Sequence, residues 1–200
     1  MPRKVRTRRS RVALPTDRMP PIPEAKQSAA QRAAARELAA TPRGGVIGPF
    51  VPALRSPEFM TLLQRLGEYL RYRSALGPRL TELVILLTAR AWTQQVEWAL
   101  HVAAARAAGL SAATIAAIAA GRRPAKLKSD ETVVYEFFGE LENTRTVTDA
   151  TYARARTVLG ERGIVDLLGV AGYYAALAML LNVARTPPPR GRRPLLKAVT

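Results

Sequence analysis

Apolar positions along this chain recur at intervals of three and four residues and almost never alternate in twos, so the pattern predicts helices throughout. The clearest stripe opens at Ser56-Pro57-Glu58. That is a capping hydroxyl, a proline at the first helical position and an acid in the first turn, and the stripe continues through Leu62, Leu63, Leu66 and Leu70 towards Ser74. Gly77-Pro78 marks a turn. A second helix follows from about Arg79 with Leu83, Leu86 and Leu87 on one face, and a break is expected at residues 91–93. A third spans Gln94–Ala108 and stops at Gly109, a natural left-handed terminator. Ser111 starts a short alanine-rich helix ending at Gly121, and Ser129 or Asp130 starts the next. There Val133, Phe137 and Leu141 align at fours, as do Val134 and Phe138. Thr148-Asp149 opens a helix that ends at Gly160. The last, from about Arg162 to Ala184, is stopped by Pro187-Pro188-Pro189.

Outside this region the pattern weakens. A short helix is expected over Ala25–Ala40. The stretch TPRGGVIGPFVPALRSP is broken by glycine and proline and reads as a loop, but Val46, Ile47, Phe50, Val51 and Leu54 in it imply that it covers part of the body. The chain divides into a basic, proline-rich arm expected to lack fixed structure (1–24), a short helix with a covering segment (25–55), a helical domain (56–186) and a basic tail (187–200).

Charge sharpens that division. The net +16 is concentrated at the ends: residues 1–36 carry ten basic and two acidic side chains, and 185–200 carry five basic and none acidic. The body is close to balanced, unlike a nucleic-acid-binding domain with its charge on the folded surface, so weak contact by the tails is the most that charge implies for nucleic acid. No 7–15-residue apolar core follows the N-terminal arginines, so a secretory signal is not expected, and a cytoplasmic location is. Leu167 to Ala184 is free of charge over eighteen residues, the lower limit for a membrane span. A helix buried all round, in the domain centre or against another subunit, is the expectation, and no membrane association is.

Candidate chemistry lies in TELVILLTARAWTQQVEWALHVAAARAAG, which holds the only histidine, His101, with Glu82 and Glu97 in apolar surroundings. Charged groups in such company are paired, or their shifted pKa is in use. Glu97 and His101, four apart, share a helical face, whereas Glu82 must reach them from a neighbouring helix. A hydrogen-bonded core histidine and a first-turn acid complementing a helix dipole are the alternative readings of His101 and Glu82. A metal site is not expected, for want of a third ligand and of an H-E-x-x-H motif. Trp92 and Trp98 read as core or contact residues. Tyr173, Tyr174 and Asn182 bring polar atoms into the last apolar helix, for internal hydrogen bonds or for a pocket.

The run Leu83-Val84-Ile85-Leu86 through Gly109-Leu110-Ser111, above all TELVILLTARAW followed by EWALHVAAARAAGLS, resembles the carboxymuconolactone decarboxylase family, over roughly Pro52 to Pro187. The resemblance implies an all-α, alkylhydroperoxidase-like domain, assembled as a homo-oligomer (trimer or hexamer) with the site near or between subunits. It matches Glu82 to a relay glutamate and His101 to a histidine. Gln94 and Glu97 stand where the family's thiol branch has the two cysteines of a Cys-x-x-Cys pair. The chain has no cysteine, so dithiol peroxide reduction has neither nucleophile nor resolving thiol. The decarboxylase branch needs none. It implies a cofactor-free lyase acting on a small carboxylated lactone or related acid. His101 would donate the proton, Glu97 and Glu82 would orient or relay, and Arg90, or Arg71 and Arg73, with Gln94, Trp98 and Tyr173, would contact substrate. Another proton-transfer reaction, an isomerisation or lactone hydrolysis, and a non-catalytic oligomeric binding protein are the alternatives.

Overall fold

In a computed structural model of the chain, residues 16–189 and Leu196 are described here. The elements are α1 (Ala29–Ala39), α2 (Phe50–Ala53), α3 (Pro57–Tyr72), α4 (Gly77–Ala91), α5 (Gln95–Ala107), α6 (Ala112–Ala119), α7 (Ser129–Thr144) and α8 (Asp149–Ala184), with a 3-10 turn at Glu24–Lys26. The fold is all-helical, and no strand occurs among the described residues.

The helix at the centre is α4. Every residue from Leu80 to Ala89 is buried, because α3, α5, α6, α7 and α8 surround it. A helix enclosed on all sides reads as apolar all round, which explains why the run Leu83–Leu87 shows no polar face. The last helix, expected to be buried in the domain centre or against another subunit, does not take the centre of the chain. α8 lies at the edge, with Leu167, Val170, Tyr174 and Leu181 turned inward, while Val165, Leu168, Met179 and Val183 face outward. It is long and apolar enough to cross a membrane by length and composition, yet just over half of its most apolar window is buried within the chain. Gly160 interrupts it with φ 67° and ψ 170°, at the position where the sequence ends one helix and starts another.

The stripe on α3 also differs from expectation. Met60, Leu63, Gln64, Gly67 and Leu70 form its buried face, whereas Leu62 and Leu66 are exposed beside Phe59. Spacing alone locates a stripe only to within one position around the helix, and the packing of α1 and α8 against α3 decides which edge is covered. Ser56 stands at the N-cap, but its side chain makes no capping bond.

The covering role of the 41–57 stretch is present, although it contains the short helix α2 in place of a continuous loop. Phe50, Ala53 and Leu54 join Ala34, Leu38 and Met60 in a satellite core. The expectation that the arm lacks fixed structure is corrected for its described part. Residues 16–24 are held on the body: the Arg18 backbone N–H donates to the Ala184 carbonyl, and the Arg55 guanidinium donates to Pro20 O at 2.8 Å. In the tail, Leu196 is buried and its peptide groups exchange two hydrogen bonds with the Gln95 amide. The expectation for 1–15, and the tail at 190–195 and 197–200, lie outside the described residues.

Candidate active site

α4 and α5 pack side by side and carry the three candidate groups. The break between them is tight. Thr93 takes φ 48°, Gln94 caps α5 by accepting from the Val96 N–H at 2.6 Å, and the Gln94 amide donates to Asn182 Oδ1 at 2.7 Å. Asn182 in turn donates to Trp92 O, so α8 pins the break. This fixes the phase of α5 so that Glu97 and His101 face α4.

Glu82, Glu97 and His101 meet. His101 Nδ1 lies 2.8 Å from Glu82 Oε2, and His101 Nε2 lies 3.5 Å from Glu97 Oε2, longer than a good hydrogen bond. Glu82 Oε1 is 3.8 Å from the Arg71 guanidinium. The Tyr174 ring meets the imidazole edge-on at 5.1 Å and limits its tilt. All three groups are buried. Burial raises the pKa of Glu97, against the opposing pull of His101, Arg71 and Arg43. Glu97 Oε1 has no hydrogen-bond partner among the described residues. For Arg71, burial lowers the pKa, but Tyr174, Tyr72, Glu82 and Glu97 outweigh it and the net shift is upward. Desolvation likewise pushes the Tyr173 hydroxyl up to about 12 and carries Tyr174 well above the ordinary tyrosine value.

Glu97 and His101 open on a cavity of about 280 Å³ whose wall includes Arg43, Ile47, Phe50, Arg71, Tyr72 and Tyr174. Arg71 and Tyr72 also border a second hollow of about 450 Å³, which reaches Glu82 from the other side. The imidazole therefore bridges a carboxylate facing each space.

The remaining candidates separate. Tyr173 adjoins the site, edge-on to Tyr174 and beside Arg43. Arg71 is in it, while Arg73 lies over the Tyr69 ring, 5.5 Å from its centroid. Gln94 is a helix cap. Trp98 is buried in the main core and, with Arg90, borders a different hollow on the opposite face of α5. Arg90, Trp98 and Gln94 as substrate contacts in one cavity with His101 are therefore not what the fold brings together. Sequence reasoning missed Arg43. The one signal was the apolar content of the covering segment that carries it.

Residues 57–137 match the model of the carboxymuconolactone decarboxylase family. No curated protein and no solved structure matches the chain. The match includes Arg71, Glu82, Glu97 and His101, and leaves Arg43 ahead of it and Tyr173 and Tyr174 beyond it.

Proposed function

We propose that the chain is a carboxymuconolactone decarboxylase-like lyase, acting by proton transfer on a small carboxylated lactone or related acid. The observation that carries this reading is the Glu82–His101–Glu97 line, set at the wall of a small cavity with two guanidinium groups, within the segment that matches the family.

In such a reaction the bond to the departing carboxylate breaks and carbon dioxide leaves. The electron pair moves through the ring double bond onto the lactone carbonyl, and the resulting dienolate takes a proton at carbon. Glu82 holds Nδ1 as the hydrogen-bonded side of the ring, which turns Nε2 towards the cavity. A neutral Glu97, favoured by its burial, stores a proton next to Nε2. His101 delivers the proton to carbon. Glu82, bordering the second hollow, is the route by which the relay regains one from solvent. Low polarity around Leu100, Leu177 and Phe50 favours loss of a charged carboxylate as neutral gas, and the cationic wall steadies the dienolate oxygen. These steps call on side chains alone.

Turnover is the test: carbon dioxide release and loss of the conjugated-lactone absorbance with carboxymuconolactone as substrate. Conversion by the wild type supports the reading. Isomerisation or ring opening without carbon dioxide release would replace it by another proton transfer at the same groups.

A homo-oligomer belongs to the same reading. Phe59, Leu62 and Leu66 on α3, with Val165, Leu168, Met179 and Val183 on α8, leave more large apolar side chains exposed on neighbouring helices than an isolated chain needs. A trimer or hexamer in light scattering, broken by Leu62→Glu with Leu168→Glu, is the expected outcome.

A further inference from the structure

The helix that carries Glu97 and His101 is tied down at its start by two neighbouring glutamines, and both ties reach residues beyond the family match, which stops at residue 137. Gln94 uses its amide on the Val96 N–H and on Asn182 of α8. Gln95 uses its own on the tail. Its Nε2 donates to the Leu196 carbonyl at 2.6 Å, and its Oε1 accepts from the Leu196 N–H at 3.2 Å. One side-chain amide thus pairs with both peptide groups of a single residue, as a neighbouring strand would. The Leu196 side chain is 5% exposed and joins the main core, which also holds Trp98 of α5.

The break that this anchorage adjoins is strained. Thr93 takes φ 48°, a conformation that is costly for a β-branched residue and persists only where its surroundings hold it. Relaxation there would turn α5 as a body. Glu97 rides on α5 with His101 and would turn with it. Glu82 sits on α4, so the 2.8 Å contact between His101 Nδ1 and Glu82 Oε2 is the one that such a turn breaks first. Gln95 precedes His101 by six residues and so points about 120° away from it round the helix. Leu196 therefore grips α5 on a different side from the one that meets Glu82, and the two contacts together oppose rotation as well as sliding.

We propose that Gln95 and Leu196 are positioning residues: the tail latches the start of α5 and thereby holds the imidazole on Glu82. Neither residue lines the cavity of about 280 Å³, and neither carries a proton in the reaction. The proposal rests on the decarboxylase reading only where turnover is used to test it.

The chain has one histidine, so isotope-labelled full-length protein gives a single imidazole spectrum by nuclear magnetic resonance. A slowly exchanging Nδ1 proton in it reports the bond to Glu82. The wild type should show that proton. Gln95→Leu removes both hydrogen bonds at a half-buried position, and Leu196→Ala empties the core position. Each should speed exchange of the proton at least about tenfold and lower kcat for carboxymuconolactone about 10- to 100-fold, with KM within about threefold. Leu196→Met, close in volume, should restore wild-type behaviour. Ile164→Ala is the control for stability alone. Ile164 is also 5% exposed in the main core but stands about 27 Å along α8 from Asn182. It should lower stability as Leu196→Ala does and leave the imidazole proton and kcat unchanged.

A wild type without the protected proton would overturn the proposal. So would wild-type exchange in Gln95→Leu and Leu196→Ala, or equal loss of protection in Ile164→Ala. The two readings fail separately. A protected proton that depends on Gln95 and Leu196, without turnover of carboxymuconolactone, removes the decarboxylase and keeps the latch. Turnover that is equal in the wild type and both variants does the reverse.

Discussion

Two hollows flank α5 and differ in what they bury. The larger, about 470 Å³, is bordered by Trp98, Val102 and Ile115, several alanines, and the arginines Arg90 and Arg106. The smaller, about 280 Å³, has Arg43, Arg71, Glu97, His101 and Tyr174 in its wall. Of these two, size and apolar lining favour the first as a ligand site. By chemistry it is the weaker one, since no buried acid or imidazole lines it. The smaller hollow holds a buried carboxyl whose pKa is raised and whose Oε1 has no partner among the described residues. Volume is a by-product of how alanine-rich helices fit together, whereas desolvated, unpartnered polar groups destabilise a fold unless a ligand or a reaction uses them.

The sharpest way to break that comparison is His101→Ala. If the smaller hollow is the reaction chamber, kcat should fall by about 10²- to 10⁴-fold, the usual worth of a positioned acid-base group. An undiminished rate in stopped assays of carbon dioxide release would send attention back to the larger one. Gly67→Ala should come next. The added methyl must displace the Tyr173 hydroxyl or the Arg43 guanidinium, with a stability loss of about 1–3 kcal/mol in chemical denaturation typical of overpacking. Substrate affinity should fall with it. The same substitution at Gly139, mid-helix with no heavy atom of the described residues within 4 Å of its would-be Cβ, is the matched control and should be neutral or stabilising.

The difference between the hollows was only partly legible in the sequence. Glu97 and His101 are one helical turn apart, and local spacing puts them on one face. The phase of α5, set by Gln94 and Asn182 across 88 residues, decides that this face meets α4. Glu82 stood out as an acid in apolar company and matched a family position, but its 2.8 Å contact with His101 Nδ1 depends on how two buried helices align. Trp98 and Arg90 fall within the same short stretch as the histidine, and proximity in sequence suggested a shared site. Trp98 points the other way because one residue around a helix is a rotation of about 100°. Arg43 had no periodicity to betray it, being delivered by a segment rich in glycine and proline. Helix identities were readable because most of them are marked by glycine, proline or a capping hydroxyl. Which faces they cover, as with Leu62, Leu66 and the outer side of α8, was not, since that depends on partners distant in sequence.

Glu97→Gln tests the electrostatic half of the contrast. Burial raises the folded-state pKa of Glu97 above the ordinary glutamate value of 4.5. Below that value both states are protonated and the shift has no effect. As pH rises through and beyond it, the unfolded chain ionises first, so the wild type loses stability up to the folded-state pKa and then levels off. Glutamine removes this dependence. The melting temperature of the variant relative to the wild type should therefore climb between pH 4 and the neutral range, and a flat or falling difference would mean that Glu97 is ionised in the fold. Loss of the stored proton should also lower kcat, by less than loss of the imidazole, because His101 can still be charged from the Glu82 side.

The smallest effect belongs to the larger hollow. The Arg90 guanidinium lies along the Gly121 turn just past α6, with Nη2 3.3 Å from where a Cβ on Gly121 would stand. Arg90→Ala should leave kcat/KM within about twofold, because Arg90 borders the hollow that the Glu82–His101–Glu97 line does not face. Comparison with Arg43→Met then isolates the variable of interest. Both changes remove one guanidinium from the rim of a hollow on α5, and the net charge changes equally. Arg43 Nε and Nη2 are buried without a hydrogen-bond partner among the described residues. A large loss of acid binding on the Arg43 side against none on the Arg90 side would attribute recognition to the smaller hollow and not to positive charge in general. Equal losses would attribute it to the overall field, which a rise in salt from 50 to 500 mM should then abolish in both.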